Sequence, residues 1–391
     1  MASKKTSLAA QEPWNATSGS LIFCVVLLFS MGLLMVFNTT SSEMLENFDN
    51  TRAHFPLIKQ LIHATAGCLL AVWIYKSDYH RFLKMVPLFF WIGCLLLICV
   101  FIPKIGQTIN GAKRWVGLGP VALQPSEFMK IFLPSYYLYF FTELKKPFLL
   151  KSFLTILLIL GFPIVLILFE PDNGTAGILL VTLVIMFYLT KVRWIYWGMP
   201  LGVFALVFGT FASKMYHVTQ RIKVYLNPEM DLLGKGHQPY QAKVAAGSGG
   251  VFGRGLGNSL QKLNYLPEAR SDYIAAIYAE EMGFVGVMFL IALYMFIGYL
   301  GFKLALMARD KQGFYLASIL TFMICFQAFL NLGVVSGLLP SKGTNLPFFS
   351  QGGSSLIANS IMIGFILNVA KIRQVKPLKL RAELWKENVY G

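Results

Sequence analysis

Leu21–Phe37, LIFCVVLLFSMGLLMVF, decides the fold class. No charged residue interrupts this block, and its apolar residues fill it instead of following an amphipathic stripe. A helix needs about 20 apolar residues to cross a hydrocarbon core ~30 Å thick, and this run is only slightly shorter. Comparable blocks follow at Leu57–Tyr75, Met85–Ile102, Phe128–Phe141, Phe153–Phe169, Thr175–Thr190, Trp194–Ser213, Ile274–Gly301, Phe314–Val335 and Ser354–Ala370. The expected fold is an all-α polytopic membrane protein of about ten transmembrane helices, with one large extracytoplasmic loop between helices 7 and 8. Lys4 and Lys5 ahead of the first block resemble a signal-peptide start. The block is longer than a typical signal core, and Asn38-Thr39-Thr40 makes a weak cleavage site, so it is read as a retained first helix. Gly161 and Pro163 predict a weakened or kinked fifth helix, which a bundle tolerates when its neighbours satisfy the freed backbone groups.

Composition agrees. Of 391 residues, 56% are hydrophobic and 13% charged, against about 25% charged in soluble domains. The net charge of +16 could suggest nucleic acid. The basic residues instead punctuate the apolar blocks, so nucleic acid is excluded in favour of charged loops that set membrane orientation. Cys24, Cys68, Cys94, Cys99 and Cys325 sit inside apolar blocks without paired spacing, as small hydrophobes and not as a disulfide or metal framework. The five histidines are scattered with no HxxxH pair.

Loop charge gives the orientation. With the N-terminus in the cytoplasm, Lys4, Lys5, Lys76, Arg81, Lys84, Lys145, Lys146, Lys151, Lys191, Arg193, Lys303, Arg309, Lys311 and the basic tail from Lys371 lie inside. The short outer loops hold only Arg52, Lys104, Lys113, Arg114 and Lys342. Both termini are therefore expected in the cytoplasm. The organisation is a cytoplasmic tail over 1–20, a membrane domain over 21–370 and a basic cytoplasmic tail over 371–391. The stretch 214–273 is too polar to span and too long for a passive connector; its mixed composition predicts order.

Four polar constellations fall on the outer side. In the first, NGAKRWVGLGPVALQPSEFMK (Asn110–Lys130), glycines permit tight turns around Lys113 and Arg114. Arg grips phosphate oxygens as a fork and Lys as a point charge, so the pair suits an anionic headgroup; solvated loop charges are the alternative. Ser126 reads as a helix N-cap, which puts Glu127 and Lys130 on one face, as a structural pair or as the lining of a polar cavity. In the second, FEPDNGTAG (Phe169–Gly177), Glu170 and Asp172 could hold a divalent cation, Mg2+ or Mn2+; otherwise Asp172 or Asn173 caps the next helix. The third runs through the glycine-rich AAGSGGVFGRGLGNS (Ala245–Ser259) to LNYLPEARSDYIAAIYAEE (Leu263–Glu281). Its glycines suit either an anion cradle or a hinge, and Asp272 either a helix cap or a general base. Glu280 and Glu281 need a protein or water environment. The fourth, PSKGTNLPFFSQGGSS (Pro340–Ser355), is too broken for a helix and supplies Lys342, Ser354 and Ser355 as donors, in a re-entrant segment or a plain turn.

At these residues the chain resembles the SEDS family (the FtsW, RodA and SpoVE proteins) along nearly its whole length. The resemblance is carried by Asn110-Gly111-Ala112 with Arg114-Trp115 and Gln124-Pro125-Ser126-Glu127-Phe128 with Lys130, then by Pro171-Asp172 with Gly174-Thr175-Ala176. It continues in Tyr265-Leu266-Pro267-Glu268 with Asp272 and Glu280-Glu281, and in Gly343, Leu346-Pro347-Phe348, Ser350 and Gly352-Gly353-Ser354-Ser355. GLGNSLQKLNYLPEA is closer to the division branch than to the elongation branch. Two departures stand out: Gln351 where the family usually has Tyr, and Asn345 within the usual Gly-x-Thr-Leu-Pro phrasing.

The resemblance implies ten transmembrane helices in the bacterial cytoplasmic membrane and a peptidoglycan glycosyltransferase that polymerises lipid II at the division septum. It implies a class B penicillin-binding protein as transpeptidase partner, among other division proteins, and an essential loop aspartate that maps onto Asp272. Asp272 would deprotonate the acceptor 4-hydroxyl for inverting attack on the donor, and Lys113 and Arg114, with Lys130 or Lys342, would stabilise the leaving pyrophosphate. Glu127, Ser354 and Ser355 complete the expected substrate contacts. The alternative, a flippase of the lipid-linked precursor, fits the intramembrane polar residues. It is disfavoured because the motifs crowd one face instead of the bilayer midplane, and no inverted repeat is visible. A purely structural scaffold would leave the convergent loops unexplained.

Overall fold

The computed structural model describes residues 16–47, 55–109, 112–118, 121–143, 150–213, 223, 225–232, 234, 236–263, 266–341 and 343–371. Lys342, most of both tails, Asn110, Gly111 and part of the large loop lie outside the described residues. The helices are α1 (Ala16–Asn47), α2 (Phe55–Lys76), α3 (Tyr79–Cys99), α4 (Pro125–Glu143), α5 (Leu150–Phe169), α6 (Asn173–Leu189), α7 (Trp194–Ser213), α8 (His237–Ser248), α9 (Ile274–Ala305), α10 (Lys311–Val335) and α11 (Gly353–Lys371). All but the short α8 coincide with the expected apolar blocks. Seven of them, α1, α2, α3, α5, α9, α10 and α11, are long and apolar enough to cross a membrane. Helix α6 is apolar but shorter, and α4 carries Glu127 and Lys130. Helices α10 and α11 form the buried centre, while α2 packs along α11 and is otherwise largely exposed.

Two local differences from the sequence reading have physical reasons. Helix α1 continues beyond Phe37 because Thr39, Thr40 and Ser41 turn their hydroxyls onto the carbonyls of Met35, Val36 and Phe37, at 2.9, 2.7 and 2.8 Å. Helix α9 is broken at Gly283, whose φ of 67° is left-handed.

The all-α expectation needs correction. The segment between α3 and α4 folds into an antiparallel sheet in the order β1 (Gly106–Ile109), β2 (Ala112–Leu118), β3 (Val121–Leu123). Its strands are short and glycine-interrupted, which hides their period in the sequence. Gln107 pairs with Trp115 and Thr108 with Lys113, so Arg114 is the extra residue of a bulge. Bulges re-aim side chains, and here Arg114 is partly buried while Lys113 is exposed. In the large loop, a 3-10 turn at Pro228–Asp231 precedes α8, and a glycine-rich turn leads into α9. The expected order is present in the described part of this loop.

Candidate active site

The four constellations converge at one end of the bundle around a cavity of about 940 Å³. Arg114, Glu127, Lys130, Asp272, Ser354 and Ser355 line it, and so do the two departures, Asn345 and Gln351. Lys113 does not: it is exposed on β2 and absent from the lining. Lys342 lies outside the described residues, so its assignment has no structural account.

Asp272 sits just before α9. Its carbonyl accepts from Asn331 Nδ2 at 2.8 Å, and the same amide donates to Thr344 O at 2.6 Å, tying the two loops together. The Asp272 carboxylate lies over Gly343: a Cβ there would be 2.8 Å from Oδ2 and 3.9 Å from Arg114 Nη1. Burial first, then the charge of Glu268, pushes the Asp272 carboxyl up to about 7, with Arg114 opposing and Asp172 adding a smaller push. A carboxylate with that affinity can accept a proton near neutral pH. Asp272 is not the N-cap of α9; Tyr273 holds that position without a side-chain cap bond.

Arg114 reaches across from the bulge to the turn before α6. Its Nε donates to Glu170 O at 3.2 Å and Nη2 to Pro171 O at 2.7 Å, while Nη1 stands 4.0 Å from Asp172 Oδ1. Asp172 is the N-cap of α6, accepting from Thr175 N at 3.2 Å, and Gln124 and Ser126 approach its other oxygen at 3.4 Å. The capping alternative therefore holds. Among the described residues no three His, Cys, Asp or Glu side chains are placed to share a metal ion. Glu170 is fully buried with neither carboxylate oxygen hydrogen-bonded. Burial, and secondarily Asp172, pushes it up to about 8, which favours a protonated acid.

Deeper in the cavity, Lys130 Nζ is 2.7 Å from Glu127 Oε2 and 2.9 Å from Gln327 Oε1. Both readings of the pair apply, since it is an ion pair that also lines the cavity. Ser126 lies inside α4, whose first residue is Pro125, so it is not the N-cap. Ser354 Oγ accepts from Gln124 N at 3.0 Å. Sequence reasoning passed over Gln60, Gln327 and Asn331, which fasten the 343–352 segment. Gln60 receives Gly352 N at 3.4 Å and donates to Ser350 O at 3.3 Å, and Gln327 donates to Asn345 O at 2.8 Å. Their signal was available, because each is a polar amide inside an apolar block.

A second cavity of about 850 Å³ lies between α9 and α10 and is almost wholly apolar. Its few polar side chains are Tyr294, Tyr299, Cys325 and Ser336.

A helical membrane bundle with a titratable carboxylate, an arginine and a buried ion pair in one polar chamber defines an integral membrane protein with a reaction-type site at one end. The family profile described as cell cycle protein, FtsW/RodA/SpoVE, matches residues 19–375, and the chain belongs to this family. It is 38% identical over 367 residues to the probable peptidoglycan glycosyltransferase FtsW of Trichlorobacter lovleyi, covering 92% of this chain and 94% of that one. It is 35% identical over 356 residues to stage V sporulation protein E of Bacillus subtilis, covering 90% and 96%. Among solved structures it resembles a chain reported under "Structural coordination of polymerization and crosslinking by a peptidoglycan synthase complex". That match has a TM-score of 0.74, 25% identity, and coverage of 96% of this chain and 100% of that one. The rod shape determining protein RodA of Thermus thermophilus matches with a TM-score of 0.67 and 26% identity over 93% and 99%.

Proposed function

We propose that this protein is a peptidoglycan glycosyltransferase that polymerises lipid II into β-1,4 glycan with release of undecaprenyl pyrophosphate, in septal wall synthesis. It would cross the cytoplasmic membrane ten times, with both termini inside. The observation that carries the reading is Asp272: a carboxylate pushed up to about 7, set over Gly343 beside Arg114 at a polar chamber. In this reaction the pyrophosphate is already a good leaving group, so what is needed is a base for the attacking hydroxyl and positive charge for the departing oxygens. Asp272 takes the proton of the acceptor 4-hydroxyl as the new glycosidic bond forms and the anomeric bond to pyrophosphate breaks, inverting the centre. Arg114 presents its Nη1 edge on the same side, held by two carbonyls. The buried Glu127–Lys130 pair and Ser354 and Ser355 supply hydrogen-bonding walls for the sugars. No step is routed through a metal ion held by the protein.

The partner in this reading is a class B penicillin-binding protein, with other division membrane proteins around it. The groove between α9 and α10 is lined by Ala275, Ala279, Gly283, Gly298, Ala328 and Gly333. Small residues of this kind let a second transmembrane helix approach closely, which supports this groove as the seat of the partner's helix.

The test is polymerisation of lipid II by purified protein, with and without the partner, comparing wild type with Asp272→Asn. The expected result is loss of glycan strands in the variant at unchanged folding. Wild-type polymerisation by Asp272→Asn would remove the base assignment. Lipid II translocation in vesicles without polymerisation would favour the transport reading.

A further inference from the structure

Among the described residues, the cations nominated by the sequence leave little positive charge for a diphosphate. Lys113 is exposed and not part of the chamber lining, and Lys130 is matched by Glu127 at 2.7 Å. Arg114 spends Nε and Nη2 on the carbonyls of Glu170 and Pro171, and its Nη1 faces the carboxylates of Asp172 and Asp272. A diphosphate bound there alone would meet nearly as much negative as positive charge.

The opposite wall is different. Lys59 and His63, on the first turns of α2, also line the chamber. Among the described residues Lys59 enters no ion pair; its Nζ rests 4.5 Å from the centroid of the Phe55 ring. His63 Nδ1 is 2.6 Å from Lys59 O, so that nitrogen carries the hydrogen and Nε2 points elsewhere. It points at the start of α11, where a Cβ on Gly353 would be 2.5 Å from it. Gly353 is thus required by the ring beside it. The first N–H groups of a helix lack intrahelical partners and favour anions, and here Ser354 and Ser355 stand beside them. Thr344 also lines the chamber, and its buried Oγ1 has no hydrogen-bond partner.

The outer side of this wall is apolar. Phe55 and Ile62 line the chamber and are at the same time exposed at 56% and 61%, with Ile58 and Leu61 exposed nearby. Cations inside and hydrocarbon outside, within two helical turns, match an amphiphile with an anionic head and a long tail.

We propose that Lys59 and His63, with the N-terminus of α11, form a diphosphate subsite that holds the headgroup of a polyprenyl diphosphate while its hydrocarbon chain runs out along α2. This rests on the glycosyltransferase reading of the same chamber and adds residues that no motif of that reading contains. Lys59 supplies a fixed positive charge. His63 sets its ring between Lys59 and the start of α11.

The experiment is equilibrium binding of undecaprenyl pyrophosphate to the full-length protein in nanodiscs, with undecaprenyl monophosphate and inorganic pyrophosphate as parallel probes. Hydrogen bonds to charged groups are worth ~1.5–3 kcal/mol, so Lys59→Gln weakens undecaprenyl pyrophosphate binding by about tenfold or more. Lys59→Arg restores most of it, His63→Gln weakens it less, and Lys303→Gln, at the far end of α9, leaves it unchanged. Inorganic pyrophosphate binds far more weakly than the lipid form, because it lacks the chain along α2. Asp272→Asn separates the two ideas, since it stops polymerisation yet still binds undecaprenyl pyrophosphate in a Lys59-dependent way. Wild-type affinity in a correctly folded Lys59→Gln protein overturns the subsite, as does equal affinity for inorganic and lipid pyrophosphate. Failure of wild type to polymerise, with Lys59-dependent binding intact, overturns the reaction and leaves the subsite standing.

Discussion

Gly343→Ala probes the position of Asp272 without removing any reacting group. The added methyl would lie 2.8 Å from Asp272 Oδ2, where ordinary contact begins near 3.4 Å. The carboxylate must therefore retreat by about 0.6 Å. Displacement of a reacting group by about 1 Å can cost ~100-fold in rate, so a shift of this size costs on the order of tenfold. The assay is the initial rate of glycan synthesis from lipid II by the purified complex, with thermal unfolding in detergent as a check on the fold. Because Gly343 is exposed, the unfolding temperature should barely move. In an Asp272→Asn background the same substitution should add little, since coupled residues are non-additive. Wild-type rate in folded Gly343→Ala would refute the idea that catalysis depends on the placement of this carboxylate.

The ionisation of Asp272 gives a second expectation. The base is the charged form, so polymerisation should rise with pH through about 7 and then level off. Glu268→Gln removes the largest like charge, favours ionisation and moves the rising limb to lower pH; a pH–rate profile that does not shift would contradict the assigned cause. The native state also holds this proton more tightly than the unfolded chain, so the ionisation costs stability as pH climbs from the ordinary carboxylate range to about 7. The buried pair of α4 gives a third. Glu127→Gln strands the Lys130 ammonium, at a cost of about 3–5 kcal/mol, visible as a lowered unfolding temperature. Glu127→Gln combined with Lys130→Met should recover stability without recovering polymerisation. A single variant as stable as wild type would mean that the pair is well hydrated.

Helix positions were legible because a bilayer demands long apolar blocks, and Trp194–Ser213 matches its predicted bounds residue for residue. The chamber was legible as four motifs on one side. What stayed hidden depends on register and on tertiary approach. Lys113 and Arg114 are adjacent and both basic, and only the bulge opposite Gln107 and Thr108 decides that Arg114 turns inward. The strands could not be read because Gly106 and Gly117 interrupt them. Both glycines answer close contacts, Gly106 with the carbonyl of Val100 and Gly117 with the side chain of Gln107. His63 carried no signal at all, since a lone histidine in an apolar block has no motif until Gly353 is seen against it.

The glycine-rich turn, left open between an anion cradle and a hinge, has a third use. The break at Gly283 frees the carbonyls of Glu280 and Glu281 and the N–H groups of Phe284 and Val285. In place of helix partners, Arg254 N and Gly255 N donate to those carbonyls at 3.0 and 2.9 Å. Gly250 O and Val251 O accept from Phe284 N and Val285 N at 2.9 and 3.1 Å. Backbone this close leaves no room for side chains: a Cβ on Gly253 would be 2.1 Å from Glu281 O, and one on Gly283 would be 2.2 Å from Gly253 N. A hinge would leave those groups unpaired part of the time, at a cost of several kcal/mol each in a membrane. The side chains lock the same junction. Glu281 takes Lys262 at 3.1 Å and Asn38 of α1 at 2.6 Å, and Glu280 takes Leu260 N at 3.2 Å and Arg254 at 3.4 Å. The segment thus braced, 274–282, follows directly on Asp272 and is too short to be rigid alone. Asp272 is therefore held from three directions: by α10 through Asn331, by the 343–352 segment through the close approach of Gly343, and by α1 through Asn38 and Glu281. A base that must meet a hydroxyl within a few tenths of an ångström needs that much support, and this accounts for buried carboxylates and glycines so far from the chemistry.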